Sequence, residues 1–146
     1  MALLKDMISK GFYVDDPEVL FEWNSDINYY VSNTKIEPNR VTDNYYTLEG
    51  TVFNNTITCN IGIHCIKDKI MRIELFRGKE FYHTQSIHES FNEFQEKTEN
   101  VFGKANHVKK GKNGFYNYSW DVGRIKISHY VYERFALEEH LEFRNS

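Results

Sequence analysis

Between Ile57 and Phe102 the hydrophobic pattern changes period once, and that change restricts the chain to a layered α+β fold. Ile57, Cys59, Ile61, Ile63 and Cys65 recur at every second position, with Thr58, Asn60, Gly62 and His64 between them. Strict alternation of this kind makes a strand with one buried face. Ile87, Phe91, Phe94, Thr98, Val101 and Phe102 then recur at helical spacing, which places one apolar stripe on an amphipathic helix. A sheet with one apolar face and a helix with one apolar stripe are stable only when each covers the other.

The helix carries its own boundaries. Ser86 and Glu89 have the spacing of a capping box, and Gly103 suits the position after a last turn, so a main helix is predicted over about 86–102. Before it, Tyr45 opens the run YYTLEGTVF, Asn54-Asn55 supplies a turn, ITCNIGIHCI follows, and Lys67-Asp68-Lys69 turns into Met71, Ile73 and Leu75. Asn pairs tolerate left-handed backbone, so hairpins are expected. After the helix, KKGKNG at 109–114 reads as a solvated hairpin tip, followed by FYNYSW and a turn at Asp121–Gly123. Ile125, Ile127, His129 and Val131 then alternate, and a last turn near Phe135–Glu138 leads into Leu141 and Phe143. Residues 2–10 predict a short helix stopped by Gly11. Asp16-Pro17 predicts a turn or a second short helical segment through Leu20 and Phe21, and the polar stretch 32–44, with Pro38, reads as loop. The expected fold is α+β, with an antiparallel sheet of about six or seven strands and the main helix packed on one face.

Offset by 68 residues, Ile57 aligns with Ile125, Ile63 with Val131, and Ile73-Glu74-Leu75 with Leu141-Glu142-Phe143. This echo predicts one domain, 1–146, built from two helix-plus-meander units of about 1–78 and 79–146.

The 146 residues suffice for one domain with a real core. A net charge of −3 argues against general nucleic-acid binding, which needs a basic footprint. Residues 1–50 carry nine acids and four bases, net −5, whereas 51–146 carry twelve and fourteen, net +2. An acidic first third attracts basic partners. The start, MALLKDMISKGF, has neither the apolar core of a signal peptide nor the length of a membrane span. Cys59 and Cys65, six residues apart on one strand, lie roughly 20 Å apart along it and cannot pair with each other. A cytoplasmic location and no membrane association are therefore expected.

Motifs that compel a chemistry are missing. His64, His83, His88, His107, His129 and His140 show no helical metal-ligand spacing and no nearby cysteine at zinc spacing, so no metal and no cofactor are expected. No nucleophile elbow and no phosphate-binding glycine loop occur, so no catalytic residues are expected. One alternative is a small-ligand or enzyme cleft around His129, with Glu133 two positions beyond Val131 on the same strand face. The tyrosines are more suggestive. Tyr29, Tyr30, Tyr45, Tyr46, Tyr116, Tyr118, Tyr130 and Tyr132 cannot all be core, and tyrosine offers contact area with a polar tip.

FNEFQEKTENVFGKANHVKKGKNGFYNYSW followed by IKISHYVYERFALEEHLEF resembles the helix, hairpin and tryptophan-strand pattern of small bacterial immunity proteins that neutralise polymorphic or contact-delivered toxins. The tandem helix-plus-meander layout also resembles the protein inhibitors of β-lactamase. The resemblance implies a non-catalytic cytoplasmic protein, monomeric or weakly dimeric, that presents an acidic, aromatic surface to a basic toxin domain. Asp15, Asp16, Glu22, Trp23, Tyr29 and Tyr30, with Tyr130 and Tyr132, are the expected partner-binding residues. An assembly subunit pairing through a sheet edge is a second alternative.

Overall fold

A computed structural model describes residues 3–32 and 35–146. Ala2, at the start of the expected first helix, and residues 33–34, in the expected loop, lie outside the described residues. In chain order the elements are α1 (Leu3–Met7), β1 (Gly11–Val14), β2 (Val19–Glu22), α2 (Ile27–Val31), β3 (Asn39–Thr42), β4 (Tyr45–Val52), β5 (Ile57–Ile66) and β6 (Lys69–Phe76). A 3₁₀ turn at Lys79–His83 leads to α3 (Ile87–Phe102), β7 (His107–Lys110), β8 (Tyr116–Val122), β9 (Ile125–Glu133) and β10 (Leu137–Asn145).

The large sheet is antiparallel, ordered β3-β4-β5-β6-β10-β9-β8-β7, and β1 and β2 form a separate hairpin. The fold is α+β as expected, with eight strands plus two in place of six or seven. Two of the added strands are β3, inside the stretch read as loop, and β2, where a helical segment was one reading. Polar β3 is exposed throughout, so it carries no apolar alternation by which to recognise it. Two four-stranded meanders meet where β6 pairs with β10, through Ile73↔Phe143, Glu74↔Glu142 and Leu75↔Leu141. The outer strands β3 and β7 are four residues each, exposed throughout.

Local chemistry explains the turns. Lys67 and Asp68 both have positive φ, 51° and 66°, the geometry of a tight two-residue hairpin. Phe53, Asn54 and Asn55 also have positive φ, and Thr51 Oγ1 donates to Asn55 Oδ1 at 3.0 Å to fix that corner. Helix α3 starts at the predicted box: Ser86 accepts from the Glu89 amide and Glu89 accepts from the Ser86 amide.

One face of the sheet is covered. Ile61 and Ile63 on β5, Ile73 and Leu75 on β6, Leu141 and Phe143 on β10 and Ile127 on β9 are fully buried. Phe94 of α3, Phe12 and Phe21 of the hairpin and Ile27 of α2 share that cluster. Phe143 joins them, with ring centroids 4.9 Å from Phe12 and 6.2 Å from Phe102. The hairpin and α2 thus stand over the first meander where α3 stands over the second. Trp120 Nε1 donates to Gly103 O at 2.8 Å and fastens the end of α3 to β8. Cys59 and Cys65 are buried thiols, and burial pushes Cys59 up to about 12. Among the described residues no helix is long and apolar enough to cross a membrane.

Candidate functional site

Among the described residues, no helix lies on the other face of the sheet. Across β4, β5, β6, β10 and β9 the registered pairs Tyr45↔His64, His64↔Arg72, Glu74↔Glu142 and His140↔Tyr130 all point there. Every one of these side chains is half-buried.

Glu74 and Glu142 face each other directly across the β6–β10 seam. Like charges so placed destabilise a sheet unless they are compensated, and these carboxylates are only 17% and 12% exposed. Compensation comes from Arg72 and His140 on the same two strands and from His64 on β5. Arg72 Nη1 donates to Glu142 Oε1 at 2.7 Å, and Arg72 Nη2 lies 3.1 Å from His64 Nδ1. A guanidinium only donates, so His64 Nδ1 accepts and its proton sits on Nε2, 3.1 Å from Glu74 Oε1. His140 Nδ1 is 3.5 Å from the second Glu74 oxygen. Burial works to raise the Glu74 carboxyl, but hydrogen bonds from His140 and His64 outweigh it and hold it down to about 2. The same Glu74 bond raises His140 against its burial.

Two tyrosines complete the arrangement. Tyr45 stacks on His64 with centroids 4.5 Å apart, and Tyr130 stacks on His140 at 5.0 Å and 13°. Gly62 makes the first stack feasible, because a Cβ there would lie 2.9 Å from the Tyr45 ring and 3.3 Å from Glu74. A glycine inside a strand often marks such a close approach. Beside the cluster runs a groove of about 410 Å³ lined by Asn44, His64, Ile66, Met71, Arg72 and Arg144. The result is a polar surface whose central carboxylates are paired and whose rings are fixed in place.

A second polar cluster lies under α3, on the covered face. His129 is fully buried, with its ring 3.9 Å from that of Phe91 at 15°. Its Nε2 is 2.6 Å from Glu139 Oε2, and its Nδ1 is 2.8 Å from the Gln95 amide oxygen. Burial lowers His129, against the Glu139 hydrogen bond. The neutral ring donates from Nε2 to Glu139, so Nδ1 must accept. Turning the Gln95 amide over supplies that donor and gives buried, unpartnered Gln95 Nε2 its bond. Ser90 donates to Glu139, and Arg77 Nε donates to Ser90 Oγ at 2.9 Å. Arg77 also pairs with Glu93 and lies 4.3 Å from the centroid of Phe94. This cluster fastens α3 to the sheet.

The expected residues are therefore divided. His129 and Glu133 are not brought together: Glu133 is exposed at the end of β9, and the carboxylate that reaches His129 is Glu139. Asp15, Asp16, Glu22, Trp23 and Tyr29 belong to the covering layer, on the side opposite Tyr130 and Tyr132. Asp15 there accepts from the Asn55 amide at 3.0 Å, and Trp23 Nε1 donates to Ile8 O at 2.7 Å. Tyr30 needs correction as a contact residue. It is 4% exposed, because its hydroxyl donates to Leu20 O and accepts from the Glu22 amide. Sequence reasoning missed Tyr45, His64, Arg72, Glu74, His140 and Glu142 as a group. Their signal was available in Gly62 and in the solvent-facing positions of β5, β6 and β10.

The chain matches no protein-family model, and no curated protein matches it. Among solved structures it is similar to a DUF4309 family protein, YjgB, from Bacillus subtilis subsp. subtilis str. 168. The TM-score is 0.55 at 16% identity, over 98% of this chain and 93% of that one. At that identity the likeness establishes a shared fold and carries no chemistry with it.

Proposed function

We propose that this chain is a non-catalytic binding protein, and specifically an immunity protein that neutralises a toxin by direct contact. The observation that supports this most is the uncovered sheet face, where Tyr45 and Tyr130 are held by stacking on His64 and His140. Side chains ordered before contact lose little entropy on binding, and tyrosine anchors recur at the centres of protein interfaces. Glu74, Glu138 and Glu142 outnumber Arg72 and Arg144 at the middle of the face, so the complementary partner surface is basic. The resemblance to immunity proteins supplies the biological class. Such a protein acts in the cytoplasm, where Cys59 and Cys65 stay reduced.

The test is co-expression and co-purification with the product of a toxin gene adjacent to this one. Protection of cells, a stable complex and at least tenfold weaker binding by Y130A/Y132A are expected. Failure to protect or to bind any adjacent toxin overturns the reading. Binding that survives Y130A/Y132A but is lost in D15N/D16N/E22Q moves the contact to the covering layer.

A further inference from the structure

We infer that Glu74, His140 and Glu142 form a binding site for a divalent transition-metal ion on the open face, at the β6–β10 seam. Each residue offers one ligand atom, and the three atoms lie within 4.8 Å of one another. A short inward movement of half-buried side chains brings them to the roughly 2.0–2.2 Å that zinc takes from imidazole and carboxylate. His140 and Glu142 are two apart on β10, so they share a face, and Glu74 is the cross-strand partner of Glu142. This spacing differs from the i, i+4 helical pair by which metal sites are usually sought in sequence.

The outer partners are what distinguish this set from scattered surface acids. Glu74 Oε1 is engaged by His64 at 3.1 Å and Glu142 Oε1 by Arg72 at 2.7 Å, so an ion would take the second Glu142 oxygen and replace the proton that His140 Nδ1 shares with the second Glu74 oxygen at 3.5 Å. His140 turns its Nδ1 toward Glu74 at 3.5 Å, so Nδ1 is the coordinating nitrogen, while Nε2 lies 3.7 Å from Glu138 Oε2, beyond hydrogen-bond reach. Ligating carboxylates that are themselves hydrogen-bonded are usual in a metal centre. His64 itself is excluded as a ligand, because Arg72 occupies its Nδ1 and its proton is on Nε2.

Charge points the same way. With the imidazoles in the neutral form that coordination requires, Glu74, Glu138 and Glu142 outnumber Arg72 and its cross-strand partner Arg144, and a divalent ion offsets the excess negative charge. Two carboxylate oxygens and one imidazole nitrogen suit zinc, manganese or ferrous iron. No thiolate is offered to soft cuprous ion, and calcium prefers an all-oxygen cage. Three protein ligands on an open face leave the remaining positions to water or to a partner side chain.

The experiment is calorimetric titration of the intact chain with zinc chloride at neutral pH, with cobalt absorption spectra as a second readout. One ion per chain is expected, with d–d bands from cobalt. E142Q and H140Q should each weaken zinc binding by at least about 10–100-fold, the loss typical even of outer-shell partners. H107A, at an exposed histidine paired with Asp121 on the same face, should bind as the parent does. Absence of stoichiometric binding by the parent chain, or undiminished binding by both variants, overturns the site. Should the variants misfold, manganese added to the parent chain must broaden the NMR signals of His140 and Tyr130 first. Broadening centred on His107 or His83 overturns it. The readouts require no partner, so failure here is distinct from failure of the immunity reading.

Discussion

Gly62 decides where Tyr45 can lie. In most strands glycine to alanine is worth roughly 0.5–1 kcal/mol in favour of the alanine. Here the new Cβ would meet the Tyr45 ring at 2.9 Å and push it off His64. G62A should therefore fail to stabilise the protein, and the ring-current shift of the His64 protons should disappear, as NMR can show. His129 makes the opposite kind of prediction. Burial lowers it, so the folded chain resists protonation where an unfolded histidine, titrating near about 6.5, accepts it. Stability should be fully present above that value and fall as pH drops below it towards the folded value. The charges around it are Glu139 from β10 and Arg77 beyond Ser90, with Glu93 of α3 on Arg77. Urea midpoints at neutral and mildly acidic pH should show the loss, and H129Q should flatten the slope.

Among the elements, α3 was the most legible in the sequence and the N-terminal third the least. Ser86 and Glu89 mark the α3 start by chemistry local to four residues, and both predicted hydrogen bonds are present. S86A should cost about 1 kcal/mol, measured as a lower denaturation midpoint with an unchanged fold. The strands β4 to β6, β9 and β10 were equally readable because each buries alternate side chains, whereas β8 buries only Trp120 and was legible from the turn that follows it. The β1–β2 hairpin and α2 were not, because each spans only four or five residues. Elements that short are fixed by tertiary contacts, here the Ile27 amide on Asp68 O at 2.8 Å and the Trp23 amide on Lys10 O at 2.9 Å. The candidate site was hidden for a related reason. Its members come from five strands, and only the pairing of β6 with β10 sets Glu74 against Glu142.

At the scale of the molecule, strands β5 and β9 begin 68 positions apart, as do β3 and β7 and again β6 and β10. Yet one buried cluster runs through both meanders, from Leu4 to Phe143. A shared core makes unfolding one cooperative event. Calorimetry should show a single transition, and F143A, which removes the ring between Phe12 and Phe102, should cost about 3–5 kcal/mol and lower that transition without splitting it. The mirrored strand order has a further result. It sends β3 and β7 to the two outer rims, where the β3 pairing slips register between Arg40 and Thr42 and β7 ends in Lys109 and Lys110. Short, charged, irregular rims are poor templates for another chain's backbone. Sideways growth of the sheet into ladders or fibres is thus disfavoured at both rims.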